Sequence, residues 1–183
     1  MALAPRPWAA QLLHSWFHDL GPADWFGGSA SVDALLEARF ARYWHCLRHR
    51  PAAEFLSRSD LALAAILLFD RIPRNLFRDD ARAFASDGLA RAITHGALAR
   101  GWLAGLDSNR IQFLAMPLMH SEDIRDQDLC CRIFAAHVPG ALAFARSHRA
   151  MIARFGRFPH RNAVLGRTTT AKEQRAIDAG FSW

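Results

Sequence analysis

The chain predicts an all-α fold, on three observations. Apolar residues recur at helical spacing along almost its whole length, no stretch alternates convincingly with period two, and short Pro-, Gly- and cap-type punctuation separates the periodic runs. About eight helices result. Their linkers are short, so neighbours are expected to run antiparallel in an irregular bundle. No repeat of about 34 residues is visible, and there is no low-complexity segment or second-domain boundary, so residues 1–183 read as a single helical domain. A chain of this length buries about 70% of its unfolded surface and needs no disulfide or metal to fold.

The first helix is expected over Trp8 to Asp19, with Leu12, Leu13, Trp16, Phe17 and Leu20 at helical spacing and Gly21-Pro22 as its stop. Ser31 is a suitable N-cap for a second helix to about His49, turning Leu35, Leu36, Phe40, Tyr43, Trp44 and Leu47 inward before Pro51. Ser59 opens a third over Asp60 to Asp70. Leu61 to Phe69 there is apolar on every side, which places this helix at the centre, with Pro73 ending it. Asp79-Asp80 is placed to start a fourth, carrying Phe84, Leu89, Ile93 and Leu98 to Gly101. Asp107 caps a fifth with Ile111, Phe113, Leu114 and Leu118. Ser121 caps a sixth with Ile124, Leu129 and Phe134. Pro139-Gly140 precedes a seventh holding Leu142, Phe144, Met151, Ile152 and Phe155, and Thr170 to Glu173 forms a capping box for the eighth.

Composition narrows the function classes. The net charge of +6 is modest, and 22 of the 23 basic side chains are Arg, with Lys172 the exception. With abundant Ala this pattern reflects a GC-rich bacterial genome better than it does selection for a nucleic-acid partner. Cys46, Cys130 and Cys131 are odd in number and have no metal-ligand spacing, so no disulfide framework or zinc site is expected and a reducing cytoplasm fits. The N-terminus lacks a signal-peptide pattern. Nothing approaches the roughly 18 apolar residues of a membrane span, and no membrane partner is expected.

Charge is distributed unevenly. From Leu129 to Lys172 there is no acidic residue, yet the run carries seven arginines, one lysine and three histidines. If successive helices alternate in direction, the segments after the third, fifth and seventh emerge at one end: Asp70 to Arg78, Met119 to Asp123, and Arg154 to Asn162 leading to Leu165-Gly166-Arg167. Asp70 at a helix C-terminus requires a neutralising cation, and arginines outnumber carboxylates across the three segments. The surplus points to a cationic pocket for a phosphate or carboxylate. The competing reading has the same arginines fastening loops onto Asp70, Glu122 and Asp123.

Those three blocks, Asp70-Arg71-Ile72-Pro73-Arg74-Asn75-Leu76-Phe77-Arg78, Pro117-Leu118-Met119-His120-Ser121-Glu122-Asp123 with Gln127, and Arg154 to Asn162 with Leu165-Gly166-Arg167, resemble a bacterial family known as domain of unknown function 924. The resemblance runs from Trp16-Phe17 and Trp25-Phe26 to Gly180-Phe181. One departure stands out: the family usually has Gln where this chain has Arg71, and Phe or Leu at Ile72. The resemblance implies an all-helical, tetratricopeptide-like fold and no particular activity, substrate or cofactor.

Within the blocks, His120, Glu122 and His160 are the candidates for proton transfer, His120 with Glu122 or Asp123 as its orienting acid. Arg74, Arg157 and Arg161 are candidate anion ligands, with Asp70, Asn75, Arg78, Asp123, Arg154 and Asn162 completing the set. His148 falls on an apolar face and reads as a core histidine with one hydrogen bond. No His-Glu-x-x-His, Glu-x-x-His or Gly-x-Ser-x-Gly pattern occurs, and neither Gly27-Gly28 nor Gly156 forms a phosphate loop of known spacing, so no metal is expected and no cofactor is named. The expected function is binding or transforming a small anionic metabolite, with catalysis left open. A helical interaction module is the alternative. Single-stranded RNA binding, on Phe155 and Phe158 among arginines, is weaker still.

Overall fold

The computed structural model describes residues 6–27 and 29–180; Gly28 and Phe181, which entered the sequence reading, lie outside them. Among the described residues the chain is all-α, without a strand. Its core begins with α1 (Pro7–His14), which a π turn over Ser15–Asp19 prolongs, and the short α2 (Pro22–Phe26), which the periodicity did not reveal. Pro22 takes the first position of α2, where its missing N–H costs nothing, and Asp24 accepts from the Gly21 N–H at 2.9 Å. The helix α3 (Ala30–Leu47) buries Val32, Leu36, Phe40 and Trp44, one face at helical spacing.

The all-apolar segment is central. Every residue from Leu61 to Asp70 is buried, and α4 (Ser59–Ile66) packs on α1, on α6 (Asp87–Ala99) and on α7 (Ser108–Met119). Pro73 does not end it. A π turn over Leu67–Arg71 carries the helix into α5 (Ile72–Leu76), with Pro73 in the first turn of α5. The extra residue per turn absorbs the bond that proline cannot make, so Asp70 to Leu76 is helix where a loop was expected. Asp80 caps a 3₁₀ turn over Ala81–Phe84, not the fourth long helix, which starts at Asp87.

Asp107 caps α7 by accepting from the Arg110 N–H at 2.9 Å, as expected. The cap of α8 (Ile124–His137) is Asp123 rather than Ser121, whose hydroxyl donates instead to Asp126. Inward-facing residues were overcounted on two helices. Phe144 on α9 (Leu142–Phe155) is 59% exposed and Ile124 is 36% exposed, because Ala145, His148, Met151 and Ile152 form the buried stripe of α9. Gly156, at φ 70°, closes α9 in the left-handed conformation that favours glycine.

Thr170 and Glu173 form the capping box of α10 (Ala171–Asp178): Thr170 Oγ1 accepts from the Glu173 N–H at 3.3 Å and Glu173 Oε2 accepts from the Thr170 N–H at 2.8 Å. Thr170→Ala is therefore expected to cost about 1 kcal/mol, read as a lower urea midpoint. A contiguous core of Trp, Phe, Leu and Ile runs from α1 to α9, and a small satellite of Met151, Ile152, Phe158 and Ala176 seats α10. Among the described residues no helix is long and apolar enough to cross a membrane.

Candidate functional site

The three polar segments meet around Asp70, which the π turn places in the interior at 0% exposure. Its Oδ1 accepts from His120 Nδ1 at 2.7 Å and lies 3.4 Å from Arg74 Nη1. Arg74 spans one turn, donating to the Asp70 carbonyl at 2.5 Å and forking onto Asp87 at 2.8 and 2.9 Å. Arg161 closes the network from the far side. It donates to the His120 carbonyl at 3.1 Å, approaches Asp87 Oδ2 at 3.5 Å, and lies between the rings of Phe158 and Phe84 at 4.4 and 4.7 Å.

Burial alone would raise the Asp70 carboxyl, but the bond from His120 and the charges of Arg74 and Arg71 outweigh it and hold the group ionised well below the usual range. For His120 burial dominates. Together with the Arg74 and Arg71 charges it pushes the imidazole down to about 3 against the pull of Asp70, so the ring is neutral at pH 7. An ionised carboxylate only accepts, which assigns the single ring proton to Nδ1. Burial likewise pushes His148 down to about 4 and, with the Arg161 and His148 charges, His160 to about 4. His148 Nδ1 donates to the Phe144 carbonyl at 2.8 Å, as a core histidine does.

A second set of bonds ties the turn before α8 to the segment after α9. Glu122 accepts from the Phe158 N–H at 2.8 Å and from Arg167 at 2.8 and 3.1 Å, while Arg167 also donates to the Phe158 carbonyl at 3.0 Å. The buried Gln127 Nε2 donates to the Met119 and Ser121 carbonyls, both at 2.7 Å.

The structure thus brings Asp70, Arg74, His120 and Arg161 into contact and sends the other site residues elsewhere. Glu122 pairs with Arg167, not with His120, whose orienting acid is Asp70. Asp123 caps α8 and pairs with Arg125 at 2.9 Å. Asn75 and Arg78 both turn to Asp33 on α3, at 2.8 Å each. Arg157 forks onto Glu173 at 2.7 and 3.0 Å, and Arg154 lies 4.9 Å over the Phe155 ring. Asn162 is buried and donates to Thr169 at 3.3 Å; His160 packs 5.6 Å from Phe158. Arg71, where the family usually has Gln, donates to the Trp25 carbonyl at 2.7 Å, so the cation replaces an amide at a point that ties α2 down. Sequence reasoning missed Asp87, Asp33, Glu173 and Arg167 as partners. Arg167 stands among the basic residues of the acid-free run and Glu173 reads as a capping acid, while Asp33 and Asp87 lie in helical stretches that look like ordinary solvated faces.

Two open hollows of similar size lie on the surface, and His120 lines neither. One, of about 600 Å³, is bounded by Arg154, Phe155, Arg157, Thr170, Lys172, Glu173 and Arg175 at the junction of α9 and α10. The other, of about 580 Å³, lies between α6 and α8 and includes Arg91, His95, Asp126 and Arg132. Among the described residues no three His, Cys, Asp or Glu side chains are grouped to hold a metal ion.

Residues 12–180 match the family model described as bacterial protein of unknown function (DUF924). The chain is also similar to the solved structure of a protein of unknown function, ATU0120, from Agrobacterium tumefaciens: 35% identity, a TM-score of 0.87, 93% of this chain covered and 97% of that one. No curated protein matches the chain.

Proposed function

We propose that this chain, which belongs to the DUF924 family of bacterial proteins, binds a small phosphate- or carboxylate-bearing ligand in the hollow where α9 meets α10. One observation carries the reading. Four basic side chains, Arg154, Arg157, Lys172 and Arg175, surround that hollow with a single acid, Glu173, which is already engaged by Arg157 and Thr170. Arg154, Lys172 and Arg175 have no ion pair among the described residues. Part of the arginine surplus of the acid-free run therefore comes to rest here, where guanidinium forks suit phosphate and carboxylate.

The proton-transfer set supports binding better than turnover. The His120 side chain is 11% exposed and is bonded to Asp70, so it reads as the centre of the lock that joins the polar segments. A specific ligand stabilises only the folded form, by about 2.7 kcal/mol at a hundredfold excess over Kd. That corresponds to roughly 5–10 °C in Tm for a chain of this size.

A thermal-shift series with phosphate, citrate and phosphorylated metabolites is expected to find such a ligand, and the R154A/K172A/R175A chain to fold normally and lose the larger part of the shift. A triple variant that keeps the full shift would remove this hollow as the site. The second reading, a helical interaction module, is favoured by the internal pairing of Arg74, Arg157, Arg161 and Arg167. It prevails if no member of the panel stabilises the protein.

A further inference from the structure

Away from that hollow, α6 and α8 present a second constellation built around a buried acid. Asp126 is 7% exposed, and both its carboxylate oxygens are engaged. Oδ1 accepts from His95 Nε2 at 2.8 Å, and Oδ2 accepts from Ser121 Oγ at 2.7 Å with Arg91 Nη1 at 3.5 Å. Arg91 also donates to Ser121 Oγ at 3.2 Å. Arg91 and His95 are one turn apart on α6 and so share a face. On α8, Asp126, Leu129 and Arg132 recur at intervals of three and share the opposing face.

The consequence is directional. With Nε2 held by Asp126, the ring of His95 is fixed although its side chain is 48% exposed, and Nδ1 is left for the hollow that His95 lines. Asp123 is occupied by Arg125, through a fork and through the N-cap bond, and Asp126 is occupied by His95, Ser121 and Arg91. Arg132 lines the same hollow and has no ion pair among the described residues. Gly88 on its rim would place an added Cβ in open space, so no side chain fills the hollow from the start of α6.

From this arrangement we infer that the hollow between α6 and α8 is a second anion site, taking a phosphate group through Arg91, His95 and Arg132. Arg91 and His95 on α6 and Arg132 on α8 line the hollow together, and guanidinium groups on both helices suit a phosphate group. Leu129 adds an apolar wall for an organic substituent. Asp126 holds the His95 ring from one side, Asp123 is taken up by Arg125, and Arg91, Arg125 and Arg132 supply the remaining charge around the hollow.

Histidine ring NMR on the full chain reads binding there directly. Inorganic phosphate, titrated at fixed ionic strength in chloride, is expected to give a saturable shift of the His95 ring signals. Arg132→Ala, which removes an exposed side chain and should fold, is expected to weaken the apparent affinity by about tenfold or more. Phenyl phosphate in a parallel titration distinguishes the sources: tighter binding than inorganic phosphate marks an organic monoester, and equal or weaker binding marks the free ion. The R154A/K172A/R175A chain is expected to keep the His95 response, which separates this site from the one at α9 and α10. A non-saturating shift, or the same affinity in the Arg132→Ala chain, overturns the inference. So does an unresponsive His95 in a chain whose α9–α10 hollow still binds phosphate.

Discussion

Asp70→Ala is expected to lower the unfolding free energy by about 3–5 kcal/mol, the cost of breaking a buried pair from one side. The residue is fully enclosed, and its removal leaves His120 Nδ1 without its acceptor and subtracts a charge that favours both Arg74 and Arg71. Arg74 keeps Asp87, so the guanidinium is not orphaned, but Arg71 retains only the Trp25 carbonyl and the Phe26 ring at 5.7 Å. Asp70→Asn is expected to fall well short of that loss, since an amide oxygen still accepts from His120 while the charge is gone. With a typical total of about 5–15 kcal/mol, the alanine variant loses about a fifth or more of the stability of an ordinary domain. Urea unfolding of the two variants beside the parent chain checks the order. A loss below about 1 kcal/mol for Asp70→Ala would mean that the network is ornamental to the fold.

How much of this the sequence disclosed depends on what kind of signal each feature leaves. Periodicity finds a stripe, so α3, α4, α7 and α9 were legible, and capping chemistry marked Asp107 and the Thr170–Glu173 box. The π turn at Leu67–Arg71 was not legible, because an i→i+5 bond leaves no residue signature and Pro73 read as a stop. The error had a consequence. It turned Asp70 from a residue on an interior turn of helix into one on a loop, open to solvent and ligands.

At the site, the excess of arginine over carboxylate was visible as composition, and alternating helix direction was enough to expect the three segments together. Which acid each arginine selects is a matter of three-dimensional distance. Asp87, 13 residues from Arg74, looks like any solvated-face acid, and Glu173, 16 from Arg157, shows its capping role but not its arginine partner. The remaining charge is what pairing leaves over: Arg154, Lys172 and Arg175 in one hollow and Arg132 in the other. That remainder could not be computed before the partners were known.

The same burial that silences the histidines as bases makes the fold sensitive to acid, and the effect is expected to be large. His120 is pushed down to about 3 and His148 and His160 to about 4, all three neutral in the folded protein, whereas an unfolded histidine titrates near 6.5. Between those limits the unfolded chain binds more protons than the folded one, so stability is present in full above about pH 6.5 and is lost as the pH falls. Asp70 adds nothing in this window, because its contribution fades only below the ordinary carboxylate range. Each pH unit below 6.5 costs up to about 1.4 kcal/mol per histidine, so the three together are expected to remove about 3–6 kcal/mol between pH 7.5 and 5. Urea unfolding across that range measures the slope. His148→Gln, which takes one proton-binding group out of the unfolded chain, is expected to lower it by about a third, whatever its effect on stability at neutral pH. A slope near zero in the parent chain, or an unchanged slope in the variant, would place the acid sensitivity elsewhere and leave the histidines free to carry charge inside the fold.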